Sequence, residues 1–366
     1  MAESETTTPE QTSNGEQPQA QPAPQPFPFQ IPPLDMSWAK VPTERPPRPK
    51  VGEDGFTLKM ADAGGYAWAP DHWPYQNDTP RGSWPAQDMG LPAPYTIYDK
   101  SEVWADNCAD LYEQAIKEQW KPATQISWGT IEPLAEHVEA SLDQIFTNIS
   151  EQAYNSNQVL MGWLKEISYG YHEVKLYLAT QVFDHARHVE AFRKRALSNG
   201  GGLGYQAPGF FNRAVYASFK FTELVVYVNI IRSSFLLGLC EWGDKLGRSQ
   251  ADRQLFENLA HDLARHIAYG IEHLKYYLNA NPQHRSHVKT WLDRGEVMYA
   301  ADLRRDKPLR EAFILALGDT VQEGKAKLAE LRQHQLKRYL MTLEAATVYN
   351  RGDNLVNALK TIIEQP

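Results

Sequence analysis

One five-residue word occurs twice in this chain: Asp184-His185-Ala186-Arg187-His188 and Asp262-Leu263-Ala264-Arg265-His266. Both copies sit in strongly helical contexts. Aspartate and histidine four residues apart share a helix face. Such a carboxylate can hold one imidazole nitrogen and aim the other at a metal. Three imidazoles, His185, His188 and His266, are therefore candidate metal ligands, with Asp184 and Asp262 behind them. Three histidines with an open position suit one Zn, Cu or Fe(II) ion. The alternative is that His188 and His266 are buried histidines satisfied by Asp184 and Asp262, with no metal and no cofactor.

A pair of metal ions in a helical bundle needs more than imidazoles. Two helices each supply a Glu and two supply Glu-x-x-His. Here the residue at the Glu place is His185 in one copy and Leu263 in the other. Leucine ligates nothing, and without carboxylates two buried dications would go unneutralised.

The positioning elements are helical. Apolar residues recur every three or four places from Ile131 to about Ser168, through Leu134, Val138, Leu142, Ile145, Ile149, Leu160 and Leu164. Further helices are expected over 105–120, 173–198, 212–245, 251–280, 284–297 and 309–349. Asn199-Gly200-Gly201-Gly202 and Asn281-Pro282 act as stops. Gly200 to Gly204 follows a helix, not a strand, and reads as a C-cap and turn rather than a phosphate loop. No strand pattern stands out. The domain reading is a Pro/Gln-rich disordered tail (1–50), an aromatic extended arm (51–104), a helical bundle (105–350) and a C-terminal tail (351–366). The arm carries Tyr66, Trp68, Trp73, Tyr75, Trp84, Tyr95, Tyr98 and Trp104 among Pro and Gly, so it must pack on the chain's own helices or on a partner.

Composition narrows the class. A net charge of −8 without a basic block argues against nucleic acid as a partner. Two cysteines, Cys108 and Cys240, are too few for a disulfide scaffold or a zinc ribbon. There is no signal-peptide pattern. No apolar run reaches the roughly 18 residues that span a bilayer. A cytoplasmic protein with no membrane partner is expected.

From about 107 to 350 the chain resembles the ferritin-like di-iron superfamily. Within it, the resemblance is to hydroxylase subunits of bacterial multicomponent monooxygenases, acting on methane, phenol or toluene, and to the ribonucleotide reductase small subunit. The segments that carry it are Leu178 to Phe192, containing the first word, and Asp262 to Gly270, containing the second. It implies an all-α, ferritin-like (ribonucleotide reductase small subunit-like) long-helix bundle with an extended N-terminal arm. It also implies single Glu ligands about 30 and about 34 residues before the two Glu-x-x-His places. Those counts land on Asn155, or Ala153 in the alternative register, and on Asn229. The nearest carboxylates, Glu151 and Glu223, have other offsets. All four carboxylate positions are lost.

The resemblance implies a non-catalytic structural or regulatory hydroxylase subunit, partnered by a catalytic di-iron paralogue; a homodimer is a further possibility. One alternative is an oxidase or oxygenase with a mononuclear site on His185, His188 and His266. Another is a bundle binding an apolar small molecule in the space the carboxylates left. Three minor candidates are structural: His172-Glu173 as a helix cap, His261 on another face from His266, and His284 with His287 at a solvated helix start.

Overall fold

The two repeated words fold onto two long helices of a bundle, and each helix is started by its own sequence. In a computed structural model of the chain, residues 48–364 are described except 75–77, 84–92 and 207–208, together with 33, 34, 36 and 39. The chain divides into two units, Met1–Arg45 and Pro46–Pro366; the account below concerns the second. The expected disordered tail lies almost wholly outside the described residues.

The described residues hold helices and isolated bridges but no strand. The principal helices are α1 (Cys108–Lys117), α2 (Glu136–Leu164), α3 (His172–Leu197), α4 (Phe210–Tyr216), α5 (Phe221–Cys240), α6 (Gln250–Ala280), α7 (Arg285–Arg305), α8 (Lys307–Leu317), α9 (Val321–Ala345) and α10 (Asn357–Glu364). Helix α2 buries Leu142, Ile145, Phe146, Ile149 and Leu160, its periodic stripe, against α3. Helix α6 opens on a capping box: Ser249 Oγ accepts from Asp252 N, and Asp252 accepts from Ser249 N. Such a cap contributes about 1 kcal/mol. The other oxygen of Asp252 takes the buried Arg195 of α3, whose Nη1 also donates to Glu139 of α2 at 2.7 Å. One arginine thus ties three helices at one end of the bundle.

Three expectations are corrected here. The span 212–245 is broken into α4 and α5, and 309–349 into α8 and α9, where Thr320 caps α9 by accepting from Glu323 N. The C-terminal tail is partly helical: α10 buries Leu359 and Ile363 and packs on α7 and α9. And α5 is apolar and long enough to cross a membrane by length and composition, yet 94% of its most apolar window is buried inside the bundle. It is the central strut of the bundle.

Helix α5 is irregular. Val226–Arg232 winds as a π-helix, and Ser233 Oγ donates to Val228 O at 2.8 Å. The wider turn pushes side chains toward α6 and α7, where glycines receive them. A Cβ on Gly270 would lie 2.8 Å from Asn229 Cβ, and one on Gly295 2.5 Å from Ile231 Cδ1.

The aromatic arm packs on the chain's own helices. Trp73 is buried against Gly170, and the Tyr171 hydroxyl donates to Tyr98 O at 2.6 Å. Arg81 is buried, donates to Gly170 O at 2.7 Å and forms a two-point ion pair with Glu173. Glu173 therefore anchors the arm; His172-Glu173 makes no side-chain cap. Trp68 stays exposed. Tyr75 and Trp84 lie outside the described residues.

Gly270→Ala should destabilise the protein by about 1–3 kcal/mol through overpacking at the π segment. Gly162→Ala, at a helical site with nothing within 4 Å, should stabilise it by about 0.5 kcal/mol. Urea midpoints of the two variants give the comparison; equal shifts would remove the close-approach argument.

Candidate functional site: a charge-exchanged histidine centre

The two words meet where α3 crosses α6, and they exchange partners. His188 Nε2 on α3 bonds Asp262 Oδ2 on α6 at 2.8 Å. His266 Nε2 on α6 bonds Asp184 Oδ2 on α3 at 3.1 Å. The expected pairing of each histidine with the aspartate of its own word does not occur. Arg187 donates to Asp184 on its own helix and to Asp262 Oδ2 across it at 3.2 Å. Arg265 mirrors it, donating to Asp262 and, at 3.3 Å, to Asp184 Oδ2. The spare Nη1 atoms go to Trp120 O at 3.0 Å and Glu118 Oε2 at 2.9 Å, at the end of α1. Trp120 Nε1 also donates to Asp262 Oδ2 at 2.9 Å.

All six repeated side chains are buried. Burial pushes the Asp262 carboxyl up, but the His188 hydrogen bond and the Arg187 and Arg265 guanidiniums outweigh it and hold it well below the usual carboxylate range. Burial lowers the His266 pKa despite the Asp184 bond. Two aspartates and two arginines balance one another, so the core of the network is neutral without any added cation.

His185 completes a cluster of three imidazoles. Its ring centroid is 4.9 Å from that of His266 and 5.8 Å from that of His188. Both of its nitrogens are buried and without a hydrogen-bond partner, as is His266 Nδ1. Burial, then the neighbouring His266, His188 and Arg232, push the His185 pKa well down. The void beside it is about 10 Å³, bordered by Ala153, Ser156, Ser233 and Leu263.

Of the two α2 positions named from the sequence, Ala153 lines the void beside His185. Asn155 turns aside to accept from Arg232 Nη1 at 2.9 Å. Asn229 donates to His266 O at 2.8 Å and to Gln181 Oε1 at 3.1 Å. The nearest carboxylates are engaged elsewhere, Glu151 with Arg193 and Glu223 with Arg294 and Tyr227.

These donors do not fit a two-metal centre. Ala153, Leu263 and His185 line the void, no carboxylate does, and a guanidinium, Arg232, stands beside His185. Among the described residues no group of three or more His, Cys, Asp or Glu is arranged to hold a metal ion. His188 and His266 commit Nε2 to aspartates, which leaves Nδ1 as the nitrogen each could offer a metal, beside the unbonded ring of His185. His261 is exposed; His284 and His287 stack on each other at the start of α7. Both cysteine thiols are buried and pushed up by burial.

Sequence reasoning missed Arg232, Trp120 and Glu118. Arg232 was findable: it is the one charged residue between Leu224 and Cys240 in an otherwise apolar helix.

No family model matches the chain, and no curated protein matches it by sequence. Solved structures do match in shape. An R2-like ligand-binding oxidase with an aerobically reconstituted metal cofactor after photoconversion is 17% identical, with a TM-score of 0.52 over 64% of this chain and 92% of that one. Two single-residue variants of R2-like ligand-binding oxidase with a Mn/Fe cofactor are each 18% identical. One has a TM-score of 0.52 over 64% of this chain and 92% of that one. The other has a TM-score of 0.51 over 66% and 94%. The fold is the ferritin-like helical bundle of the R2-like kind.

Two outcomes follow from the centre. His185 is held neutral when folded but gains a proton in the unfolded chain below its ordinary value near 6.5. Stability is therefore lost as pH falls below about 6.5, by up to about 1.4 kcal/mol per pH unit for this group. His185→Leu should flatten the pH 7 to 5 slope of the urea midpoint and leave stability at pH 7.5 equal or higher. An unchanged slope would show that His185 takes up its proton over the same pH range folded as unfolded. Asp262→Ala leaves Arg187 and Arg265 short of their carboxylate and should cost about 3–5 kcal/mol in the same assay.

Proposed function

We propose that this chain is a non-catalytic member of a di-iron oxidase type of assembly, a structural or regulatory hydroxylase subunit beside a catalytic paralogue. The observation that carries this reading is the charge-closed centre. Aspartates that would stand behind metal-bound imidazoles instead exchange with arginines and histidines across α3 and α6, and the carboxylate places are neutral. A centre already neutral gives a dication no charge to gain.

The oxidase likeness is one of fold, and the partner is inferred from the lost ligands. The aromatic arm is spent on the chain's own helices, so the partner surface is sought on the exposed helix faces, where Tyr154, Met161, Leu176 and Phe183 are uncovered. A second copy of the chain is the other candidate for those faces.

One observation favours a second reading. Three imidazole centroids within 6.3 Å of one another, one ring with both nitrogens unbonded, would make a mononuclear metal site if His188 and His266 turned Nδ1 to one ion while Asp184 and Asp262 kept Nε2. The apolar-ligand reading has no comparable support, because the space beside the histidines is about 10 Å³, room for about one water.

Metal analysis of the purified chain after incubation with Fe(II), Mn(II) or Zn(II) separates the first two. The expected result is no stoichiometric metal and no change in thermal midpoint. Co-expression with a di-iron paralogue encoded alongside should then give a stable complex whose iron belongs to the paralogue. One metal per chain, lost in His188→Ala and in His266→Ala, would replace the scaffold reading with the mononuclear oxidase.

A further inference from the structure

Seven arginines are buried: Arg81, Arg187, Arg195, Arg232, Arg265, Arg332 and Arg351. Five have a carboxylate within ion-pair distance, Glu173 for Arg81, Asp184 and Asp262 for Arg187 and Arg265, Glu139 and Asp252 for Arg195, Asp293 and Glu296 for Arg351. Arg232 and Arg332 have none among the described residues. Both line the same cavity of about 70 Å³, between α2, α5, α7, α8 and α9. A buried, unpaired cation is costly. Two of them on one cavity, in a protein that pairs every other buried arginine, mark a place where the counter-charge comes from outside the chain.

The local geometry agrees. Arg232 is 2% exposed. Its Nη1 donates to Ser156 Oγ at 2.6 Å, Asn155 Oδ1 at 2.9 Å and Gln152 O at 3.1 Å, and its Nη2 to Asn212 Oδ1 at 2.5 Å. All four acceptors are neutral, and Nε has no partner. Arg332 donates to Gln335 Oε1 at 2.9 Å, again a neutral acceptor. The guanidiniums lie 5.2 Å over Phe211 and 5.4 Å over Phe313, two rings that also line the cavity. Tyr299, another lining residue, interacts electrostatically with both guanidiniums, and burial pushes its phenol up to about 12, so it stays a donor. Burial brings Arg232 down to about 10, which leaves it charged at neutral pH.

Asp302 and Asp306 face the cavity too and act electrostatically on Arg232 and Arg332, but neither reaches ion-pair distance, and each carboxylate on the wall has other partners. Asp302 accepts from Phe210 N at 2.6 Å and Phe211 N at 2.9 Å, Asp306 caps α8 through Leu309 N at 3.0 Å, and Glu151 takes Arg193 at 2.6 Å. Arg310 adds a third cation at the cavity wall.

We infer that this cavity is a binding site for a small oxyanion, held by Arg232, Arg332 and the Tyr299 hydroxyl against Phe211 and Phe313. Its volume suits a carboxylate or phosphate group with few further atoms; an apolar cavity of about 150 Å³ is needed to take up benzene. Arg232 also borders the void beside His185, so the same guanidinium joins the anion site to the histidine centre. This inference stands whether the chain is a scaffold subunit or an oxidase.

The test titrates succinate and inorganic phosphate separately against the full chain at constant ionic strength, read by thermal midpoint and calorimetry. One of the two should stabilise the protein saturably, because a ligand bound only to the folded state raises the midpoint. A response to succinate alone assigns the site to a carboxylate, and a response to phosphate alone to a phosphate group. Arg332→Met should weaken binding at least about tenfold without lowering the ligand-free midpoint, since it removes an unpaired buried cation. Tyr299→Phe, a change of one hydroxyl, should weaken it about threefold or more and keeps the test usable if Arg332→Met does not fold. Arg338→Met, at an exposed arginine outside the cavity, should bind as the unaltered chain. No response to either anion, or an equal response from Arg332→Met and Tyr299→Phe, would overturn the inference.

Discussion

Everything in this bundle is arranged around one exchange: two buried aspartates on neighbouring helices, each held by the arginines and the histidine of both copies of one word. The exchange fixes the register of α3 against α6, since a slip of one turn on either helix would separate both histidines from their carboxylates at once. Its net worth against a well-packed apolar core is not obvious, because buried ion pairs repay their desolvation only with good geometry. What it supplies is a single allowed alignment. Removing any one member leaves an uncompensated charge, which makes the network all-or-none. Trp120 and Glu118 extend it to the end of α1, so the outer helix is aligned by the same charges.

The vacated ligand places obey a complementary logic. A two-metal centre balances positive ions against carboxylates. Removing the ions alone would leave buried anions; removing the carboxylates alone would leave unneutralised cations. Here Ala153, His185 and Leu263 line the void, Asn229 is bonded to Gln181 and His266 O, and no carboxylate stands among them. The volume is filled as well as the charge. The π segment of α5 sets Asn229 against α6 at Gly270 and turns Arg232 toward α2, leaving about 10 Å³ beside the histidines.

Much of this was legible in the chain, and the limits have physical causes. The periodic stripe of α2, the long helix α3 and the capped helix α6 were readable because local spacing alone specifies them. The repeated word located the centre: Asp184, His188, Asp262 and His266 were named from it, with Arg187 and Arg265 beside the histidines. Its pairing was not readable: aspartate and histidine at i and i+4 suit an in-helix bond as well as a crossed one, and only the packing of α3 on α6 decides. Asn155 and Ala153 differ by little over half a turn, so counting along the chain could not say which faces inward. The break at Gly318 had a local signal, a glycine followed by Thr320 with Glu323 three residues on, whereas no short-range pattern announces the π segment. The apolar character of α5 was in the sequence but spread over a stretch interrupted by Glu223, Asn229 and Arg232, which hid its mean hydropathy from a search for unbroken runs.

The parts of the repeated word that persist are those able to work without a metal. Asp184, Arg187 and His188, with Asp262, Arg265 and His266, satisfy one another through hydrogen bonds and ion pairs internal to the protein. The Glu positions have no such internal partner; a carboxylate there is stable only if an ion neutralises it. His185 shows where the fit is incomplete. It fills the space of a ligand and is kept neutral by burial, yet neither nitrogen has found a bond. An orphaned ring of this kind costs stability for as long as it stays unpartnered, and it is the one residue of the centre whose chemistry the fold has not used.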